Sequence, residues 1–232
     1  MTLARQHGLG LVALANTNHW MRGGTYAWQA AQSGMAFIGW TNTTANMPAW
    51  GAKDCRLGNN PIVLSVPYDP EAIVLDMAVS QFSYGTMEST KTDLSLPGGY
   101  DTQGRLTCDP KEILTTQRPL PIGYWKGAGL SLLLDLLATL LSGGQSTSQI
   151  SQKDHEYGVS QVFIALDLNQ LGEQSTLTQA VHQIIQDYRQ STPASDADQI
   201  IYPGQRVLQR RKHNLEHGIP VDRSIWDTIQ KL

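Results

Sequence analysis

The longest apolar run of the chain, residues 129–141, constrains the fold more than any other feature of the sequence. The run is shorter than the roughly 20 apolar residues that a membrane-spanning helix needs, and Asp135 stands in its middle. A carboxylate at the centre of a bilayer carries a large free-energy cost. The run therefore predicts a buried central helix at 130–141 in a protein that does not cross a membrane. A bend at Gly127-Ala128-Gly129 is predicted to introduce this helix, which is apolar on nearly every side and so is expected to be buried all round.

Charge and cysteine content narrow the classes of function. Lys and Arg number 17 against 20 Asp and Glu, so the net charge of -3 gives no general attraction to nucleic acid or to an anionic membrane. Cys55 and Cys108 form no metal-ligand motif and no disulfide framework, and the histidines lack metal-ligand spacing. No metal is predicted, and the N-terminus has no secretion pattern, so we expect a cytoplasmic protein.

Strand-like and helix-like segments alternate along the chain, which predicts an α/β fold in one domain over residues 1–232. The predicted strands lie at 8–14, 35–41, 62–66, 72–78 and 159–168, and the predicted helices at 25–33, 130–141, 177–189, 205–217 and 222–232. The first two strands enclose a helix and are predicted to form a βαβ unit. Residues 81–123 are predicted to be irregular.

The loop at 16–24 joins the end of a strand to the start of a helix, which is where α/β folds place ligand-binding groups. His19 lies in this loop and has the chemistry to orient or protonate a substrate carbonyl. The alternative is a structural histidine that only caps a helix or forms hydrogen bonds within the loop, and the sequence spacing alone favours this alternative. Lys53 and Arg56 are candidates for binding a carboxylate, although exposed loop cations are usually solvated.

Several segments are possible nucleotide contacts, although the sequence contains no Gly-x-Gly-x-x-Gly between a strand and a helix and no Walker A motif. Trp125 and Lys126 precede a predicted helix start, where backbone N–H groups favour a phosphate. Asp76 ends a predicted strand and fits either a ribose contact or a turn cap. The cations of the helix at 205–217 are interpreted as a solvated face.

Five short segments together resemble the non-Rossmann malate/L-lactate dehydrogenase family. They are Asn18-His19-Trp20-Met21-Arg22-Gly23-Gly24, Asn46-Met47-Pro48-Ala49-Trp50-Gly51-Ala52-Lys53, Gly58-Asn59-Asn60-Pro61, Tyr124-Trp125-Lys126-Gly127 and Tyr202-Pro203-Gly204. The resemblance covers essentially the whole chain in order and spacing. It implies an α/β fold with a mixed β-sheet flanked by helices, and a cofactor site without the Rossmann glycines.

The resemblance also implies an activity and a site. The resemblance implies reduction of a 2-oxo acid to a 2-hydroxy acid with NADH, in a cytoplasmic homodimer. NADPH is the alternative reductant. The implied catalytic residue is His19, and the implied substrate contacts are Asn42, Thr43 and Lys53. The implied cofactor contacts are Ala72, Ile73, Val74, Leu75, Asp76, Met77, Ala78, Trp125, Lys126, Gly204, Gln205 and Arg206.

Two departures from the family pattern leave alternatives open. The family's proton-donating histidine belongs to a Ser-His-Gly motif in an N-terminal helical segment, and these 232 residues contain no such motif. The second departure is that this chain has Gln205-Arg206 at the place where the resemblance implies a His-Glu-like pair. The chain is therefore interpreted as an oxidoreductase, or as a dinucleotide-binding chain that is inactive alone, or as a subunit whose site is completed by a partner.

Overall fold

The computed structural model describes residues 1–195 and 199–231. The strands are β1 (Leu9–Thr17), β2 (Met35–Thr41), β3 (Met47–Pro48), β4 (Cys55–Leu57), β5 (Ile62–Tyr68), β6 (Glu71–Met77), β7 (Gly99–Tyr100), β8 (Leu106–Thr107) and β9 (Val159–Asp167). The α-helices are α1 (Thr2–His7), α2 (Gly24–Gln32), α3 (Tyr84–Ser89), α4 (Pro110–Thr116), α5 (Trp125–Ser142), α6 (Thr147–Ile150), α7 (Gln174–Arg189), α8 (Gln205–His217) and α9 (Arg223–Ile229), and a 3-10 turn spans Leu168–Gln170.

The five long strands form one sheet in the order β1-β9-β2-β5-β6. The α/β class and the flanking helices are confirmed, but every neighbouring pair in this sheet is antiparallel, so its pairing is not mixed. The two strands of the predicted βαβ unit, β1 and β2, are not neighbours in the sheet. Strand β9 lies between β1 and β2 and runs opposite to both, so these two strands point the same way without pairing.

Helix α2 covers one face of the sheet with small side chains. Ala27, Ala30 and Ala31 are buried against strand residues that include Met35 and Val63. Because alanines let the helix backbone approach the sheet closely, the buried Ser65 hydroxyl can donate a hydrogen bond to the Ala27 carbonyl at 3.0 Å. Full burial of an aliphatic side chain such as Val63 contributes about 1.5–3 kcal/mol. This packing fixes the start of α2 beside the end of β6.

Helix α5 covers the opposite face, and only its inner side is buried. Ser131, Leu134 and Ala138 face the sheet, and the Trp40 indole N–H donates to the Leu134 carbonyl at 3.1 Å. The outer leucines are exposed: Leu130, Leu132, Leu133, Leu136, Leu137, Leu140 and Leu141. The sequence predicted a helix buried on nearly every side, and this is wrong for the single chain because α5 has the sheet on one side only.

The apolar helix is also longer than predicted. It starts at Trp125 rather than at residue 130, and with 18 residues it is long and apolar enough to cross a membrane by length and composition alone. The sequence suggested a bend at Gly127, but this glycine lies inside the helix. A Cβ there would collide with the Ile122 backbone, so Gly127 allows close packing rather than a turn. Asp135 accepts hydrogen bonds from the Asn42 side chain and the Thr147 backbone, both at 2.9 Å, which explains its place among leucines.

The C-terminal helices are attached lightly. Neither α8 nor α9 contains a buried residue, and α8 is preceded by its N-cap Gly204, whose φ is 90°. Tyr202, just before this helix, is buried and its ring lies 5.5 Å from the Tyr68 ring. The predicted helix at 205–217 is confirmed, and that at 222–232 is confirmed for residues 223–229, while Leu232 lies outside the described residues. The predicted irregular middle contains only short elements.

Candidate functional site

A cavity of about 510 Å³ opens at one edge of the sheet. The loop after β1 contributes His19 and Arg22, the segment after β2 contributes Thr43, and the end of β6 contributes Asp76 and Ala78. Strands β1, β2 and β6 all run in the same direction, because each is separated from the next by an antiparallel strand. Their C-terminal ends therefore share an edge, which is where open α/β sheets bind ligands. We call this space the His19 cavity.

The His19 loop is anchored on both sides. Trp20 is buried in the core beneath α2, with its ring 6.3 Å from the Phe163 ring. The Gln161 side chain donates to the Asn18 carbonyl at 2.8 Å. His19 itself is exposed toward solvent. The strand-end loop is thus fixed next to the cavity, and the His19 imidazole has a defined position.

One hydrogen bond sets the tautomer of the His19 imidazole. The Met21 backbone N–H donates to His19 Nδ1 at 2.9 Å, in a tight turn in which Met21 has a φ of 63°. Since Nδ1 accepts this bond, the neutral ring carries its proton on Nε2. The imidazole therefore presents an N–H donor, which suits a carbonyl oxygen and the negative charge that grows on it during reduction.

Asn42 lies below the cavity rather than in it. Its side chain is 0 % exposed, and its amide donates to Asp135 at 2.9 Å and to the Gln145 carbonyl at 2.8 Å. Its carbonyl oxygen accepts from the Ser160 backbone N–H at 2.8 Å. The resemblance implied a substrate contact for Asn42, but the structure gives its side chain a positioning role, because its polar atoms are bonded inside the protein.

Thr43 lines the cavity and is held by a second buried amide. Its backbone N–H donates to Asn60 Oδ1 at 3.1 Å, and Asn60 in turn donates to the Ser131 carbonyl at 2.9 Å. The Ser131 hydroxyl donates to the Gly58 carbonyl at 2.6 Å. These bonds tie the loop after β2 to helix α5. A Cβ on Gly58 would collide with both Asn60 and Thr43, so the Gly58-Asn59-Asn60-Pro61 segment requires glycine at its first position.

The acidic groups of the cavity have partners within the protein. Asp76 accepts a hydrogen bond from the Gly24 backbone N–H at 2.9 Å and so caps the start of α2 from the neighbouring strand. Glu156 accepts from the Thr44 backbone N–H at 2.9 Å and from its hydroxyl at 3.0 Å. Both carboxylates therefore stabilise the walls of the cavity.

Tyr84 is a neutral member of the cavity wall. Its hydroxyl donates to the Asn46 carbonyl at 2.8 Å. Burial, with smaller contributions from the nearby Cys55 and Glu88, raises the pKa of Tyr84 to about 12. The phenol thus keeps its proton throughout the physiological range and is not a source of protons for chemistry near neutral pH.

A second, larger space adjoins the cavity. It is a groove of about 840 Å³ between one side of α2, with Thr25 and Trp28, and the helix α8, with Arg206 and Arg210. Arg22 lines both spaces, so the groove and the His19 cavity meet at its side chain. We call this space the α2–α8 groove. Its volume falls in the range of small-molecule and cofactor sites.

Two of the three predicted cofactor segments lie together. The backbone N–H of Val74 in β6 donates to the Pro203 carbonyl at 3.2 Å. A Cβ on Gly204 would lie 3.0 Å from the Val74 carbonyl oxygen and 3.3 Å from the Trp28 ring, and the φ of 90° disfavours a side chain, so glycine is favoured between β6 and α2. The residues present fit a dinucleotide, because this close approach of α8 to α2 creates the groove that continues into the cavity.

The individual cofactor predictions divide by position. Arg206 lines the groove, whereas the Gln205 side chain accepts a hydrogen bond from the Tyr202 backbone N–H at 3.4 Å. Within β6, Asp76 reaches the cavity together with the following Ala78. The remaining members of that strand are structural: Ala72 and Val74 are buried beneath α2, and Ile73, Leu75 and Met77 alternate to the opposite face of the sheet.

Three further predicted site residues do not reach the cavity or the groove in one chain. Trp125 and Lys126 are exposed at the start of α5, across the sheet from α2. Lys53 is exposed in the loop before β4. The resemblance groups these residues with the site, and it does not reveal that α2 and α5 cover opposite faces of the sheet in one chain.

The structure also adds residues that the sequence did not single out. Arg22 and Asn59 lie in the motif segments but were given no role, and both line the cavity. Tyr84 and Glu156 lie outside every motif and reach the cavity through long-range folding. No sequence signal marked these two, whereas the position of Arg22 three residues after His19 was a usable one.

The fold and the site define the class of protein: an α/β enzyme with a ligand cavity at the strand ends and a nucleotide-sized groove without Rossmann glycines. A sequence profile described as malate/L-lactate dehydrogenase matches residues 1–230. The chain is 46% identical over 234 residues to 2,3-diketo-L-gulonate reductase of Salmonella paratyphi C (strain RKS4594), covering 99% of this chain and 70% of that protein.

Solved structures agree with the profile. Sulfolactate dehydrogenase from Methanocaldococcus jannaschii superposes with a TM-score of 0.86 at 26% identity, covering 99% of this chain and 67% of that one. Malate dehydrogenase from Pyrococcus horikoshii OT3 gives a TM-score of 0.87 at 26% identity, with 99% and 66% covered. The chain belongs to the malate/L-lactate dehydrogenase family, whose members are NAD(P)H-dependent oxidoreductases that act on CH–OH groups.

Proposed function

We propose that this chain serves in the reduction of a 2-oxo acid by NAD(P)H, with 2,3-diketo-L-gulonate as substrate and 3-dehydro-L-gulonate as product. One observation carries the proposal: the fixed Nε2–H donor of His19 and the guanidinium of Arg22 line the same cavity. The substrate is inferred from the 46% identity to a protein named 2,3-diketo-L-gulonate reductase.

The two side chains match the two polar ends of a 2-oxo acid. Arg22 pairs with the carboxylate, since a guanidinium binds a carboxylate through parallel hydrogen bonds. His19 donates from Nε2 to the C2 carbonyl oxygen, which holds the carbonyl in one orientation and stabilises the alkoxide. A reduced nicotinamide, when bound in the groove, would supply the hydride. The resemblance assigns the proton to the histidine of a Ser-His-Gly motif outside these 232 residues.

The proposed homodimer is supported by two features of α5. Its outer leucines form an exposed apolar face of the kind that marks a protein interface. Trp125 and Lys126, at the start of the same helix, are the predicted cofactor residues that one chain does not bring to the groove. A second copy packed against α5 covers the leucines and provides a route for these two residues to reach a groove. The location we propose for this homodimer is the cytoplasm, as the family resemblance implies.

The test is turnover with product identification. The chain is mixed with NADH or NADPH and 2,3-diketo-L-gulonate, with pyruvate and oxaloacetate as other 2-oxo acids, and the products are identified by chromatography. We expect slow cofactor oxidation that depends on the substrate and yields 3-dehydro-L-gulonate, because these 232 residues lack the proton-donating histidine of the family motif and general acid catalysis contributes about 10²–10⁴-fold. Absence of dinucleotide binding at millimolar concentration overturns the proposal.

A second candidate function is dinucleotide binding without turnover by this chain alone. The other ionisable groups of the cavity favour this candidate, because Asp76, Tyr84 and Glu156 are all hydrogen-bonded to the protein. None of the three is therefore a free proton donor for the reaction. Binding of NAD(P)H without oxidation, followed by turnover when the N-terminal segment of the Salmonella reductase is added in trans, supports this candidate. Full turnover by the chain alone excludes it.

Sedimentation tests the homodimer separately. We expect the chain to associate, and a Leu133→Gln, Leu140→Gln double variant to shift toward monomer because both side chains are exposed in one chain. The matched control is Leu171→Gln, which removes an equally exposed leucine on the loop before α7. A wild-type chain that stays monomeric at high concentration contradicts the homodimer.

A further inference from the structure

We propose that the α2–α8 groove selects a 2′-phosphorylated dinucleotide, so that this chain binds NADPH in preference to NADH. The inference rests on the proposed function and names its reductant. It arises from charge: four arginines line the groove, namely Arg22, Arg206, Arg210 and Arg211, and the lining contains no aspartate or glutamate.

The four guanidinium groups are available for a ligand. Across residues 1–195 and 199–231, none of them makes an ion pair or a side-chain hydrogen bond. A guanidinium presents five N–H donors in a planar fork that matches a phosphate group. The groove therefore concentrates donors and positive charge that the protein itself leaves unsatisfied.

The number of arginines exceeds what a dinucleotide without a 2′-phosphate requires. The diphosphate bridge carries two negative charges, and Arg22 stands where the groove meets the His19 cavity, nearest to the nicotinamide half. The other three arginines line the groove alone and belong to α8. They lie beyond the bridge, on the adenosine side, where a 2′-phosphate adds further negative charge.

The spacing on α8 suits one phosphate. Arg206 and Arg210 are four residues apart, which places them on the same side of the helix about 6 Å apart along its axis. Arg211 follows directly. Trp28 forms the facing wall from α2 and offers a flat surface for the adenine ring. A phosphate on the ribose between ring and helix reaches two guanidinium groups at once.

The absence of a carboxylate in the groove lining points the same way. Dinucleotide sites that prefer NADH place an acidic side chain on the ribose 2′-hydroxyl, whereas an arginine accommodates the 2′-phosphate. Asp76, the acidic member of the predicted cofactor segment, lines the cavity instead and is bonded to the Gly24 N–H. It is thus occupied at the other end of the site.

Calorimetric titration tests the preference without turnover. The probes are adenosine 2′,5′-bisphosphate and 5′-AMP, which differ by the 2′-phosphate, followed by NADPH and NADH. We expect the 2′-phosphorylated member of each pair to bind at least tenfold more tightly. We expect an Arg206→Gln, Arg210→Gln double variant to reduce that ratio to less than threefold while changing 5′-AMP affinity by less than threefold.

A control variant and the possible outcomes distinguish the NADPH preference from the proposed reductase function. Lys212→Gln removes a cation from the same helix that does not line the groove, and it should leave the ratio unchanged. Equal binding of NADPH and NADH by the wild type overturns the preference while the proposed function stands. Loss of the ratio in Lys212→Gln as well indicates general charge attraction and also overturns the assignment to the groove. Failure of both dinucleotides to bind overturns both proposals.

Discussion

The His19 cavity and the α2–α8 groove adjoin each other at Arg22, yet they are built in opposite ways. The cavity stands on buried polar side chains, with Asn42 and Asn60 each 0 % exposed and bonded to several parts of the chain. The groove has one wall on α8, a helix without buried residues. One region is fixed by the interior of the protein, and the other by a helix attached mainly at its start.

This difference separates placement from affinity. A reacting carbonyl needs its donor within a fraction of an ångström, and a network of buried hydrogen bonds supplies that rigidity. A phosphate is held by charge and several donors, so arginines on an exposed helix suffice. Substitutions near the cavity should therefore change stability or turnover, and substitutions along the groove should change cofactor affinity.

The largest expected effect is on stability, from Asn42→Ala. The change removes three hydrogen bonds and leaves the Ser160 N–H and the Asp135 carboxylate short of partners, so we expect the free energy of unfolding to fall by about 3 kcal/mol. Urea denaturation measures it. Asn214→Ala, an amide of the groove wall, is the control and should cost less than about 0.5 kcal/mol. Equal losses at both positions contradict the contrast between the two regions.

The next effect is on turnover, from His19→Ala. Because the Nε2–H acts on the developing alkoxide, we expect kcat to fall by about 10²-fold while the dissociation constant of NADPH changes by less than threefold. Steady-state kinetics and fluorescence titration measure the two quantities. His155→Ala, an exposed histidine outside the cavity lining, should leave both unchanged. A fall in affinity that equals the fall in kcat removes His19 from the chemistry.

A smaller effect is expected from Gly204→Ala at the junction of groove and sheet. The added Cβ meets the Val74 carbonyl and needs an unfavourable φ, so α8 shifts and NADPH binding should weaken by about tenfold. Gly143→Ala also sits at positive φ, but its Cβ meets open space. That variant should weaken binding by less than twofold. Equal effects show that the close approach to β6 does not position the groove.

The smallest effect concerns Tyr84→Phe and its pH dependence. Loss of the hydroxyl's bond to Asn46 should lower the free energy of unfolding by about 1 kcal/mol at pH 7. The folded pKa of about 12 lies above the value of about 10 for an unfolded tyrosine. Wild-type stability is therefore fully present below pH 10 and falls as the pH rises from about 10 to 12. Tyr84→Phe should lose less over that interval, and parallel curves would show that Tyr84 ionises freely.

Much of the secondary structure follows from local patterns. The strand predicted at 35–41 and the helix predicted at 205–217 have the observed bounds, because a short apolar run bounded by turn residues and a glycine cap are signals within a few positions. The start of α5 was placed five residues late because Gly127 reads as a bend. Its real role depends on the Ile122 backbone beside it, which a linear pattern does not reveal.

The site divides in the same way. The sequence by itself determined the chemistry that is available, including the His19 loop, the cations of α8 and the family to which the chain belongs. Only the tertiary structure decided which groups meet. Strand β9, remote in sequence, inserts between β1 and β2, and the alternation of strand directions brings three strand ends to one edge. Which face of the sheet each helix covers then separates Arg206 from Lys126, because burial depends on partners far along the chain.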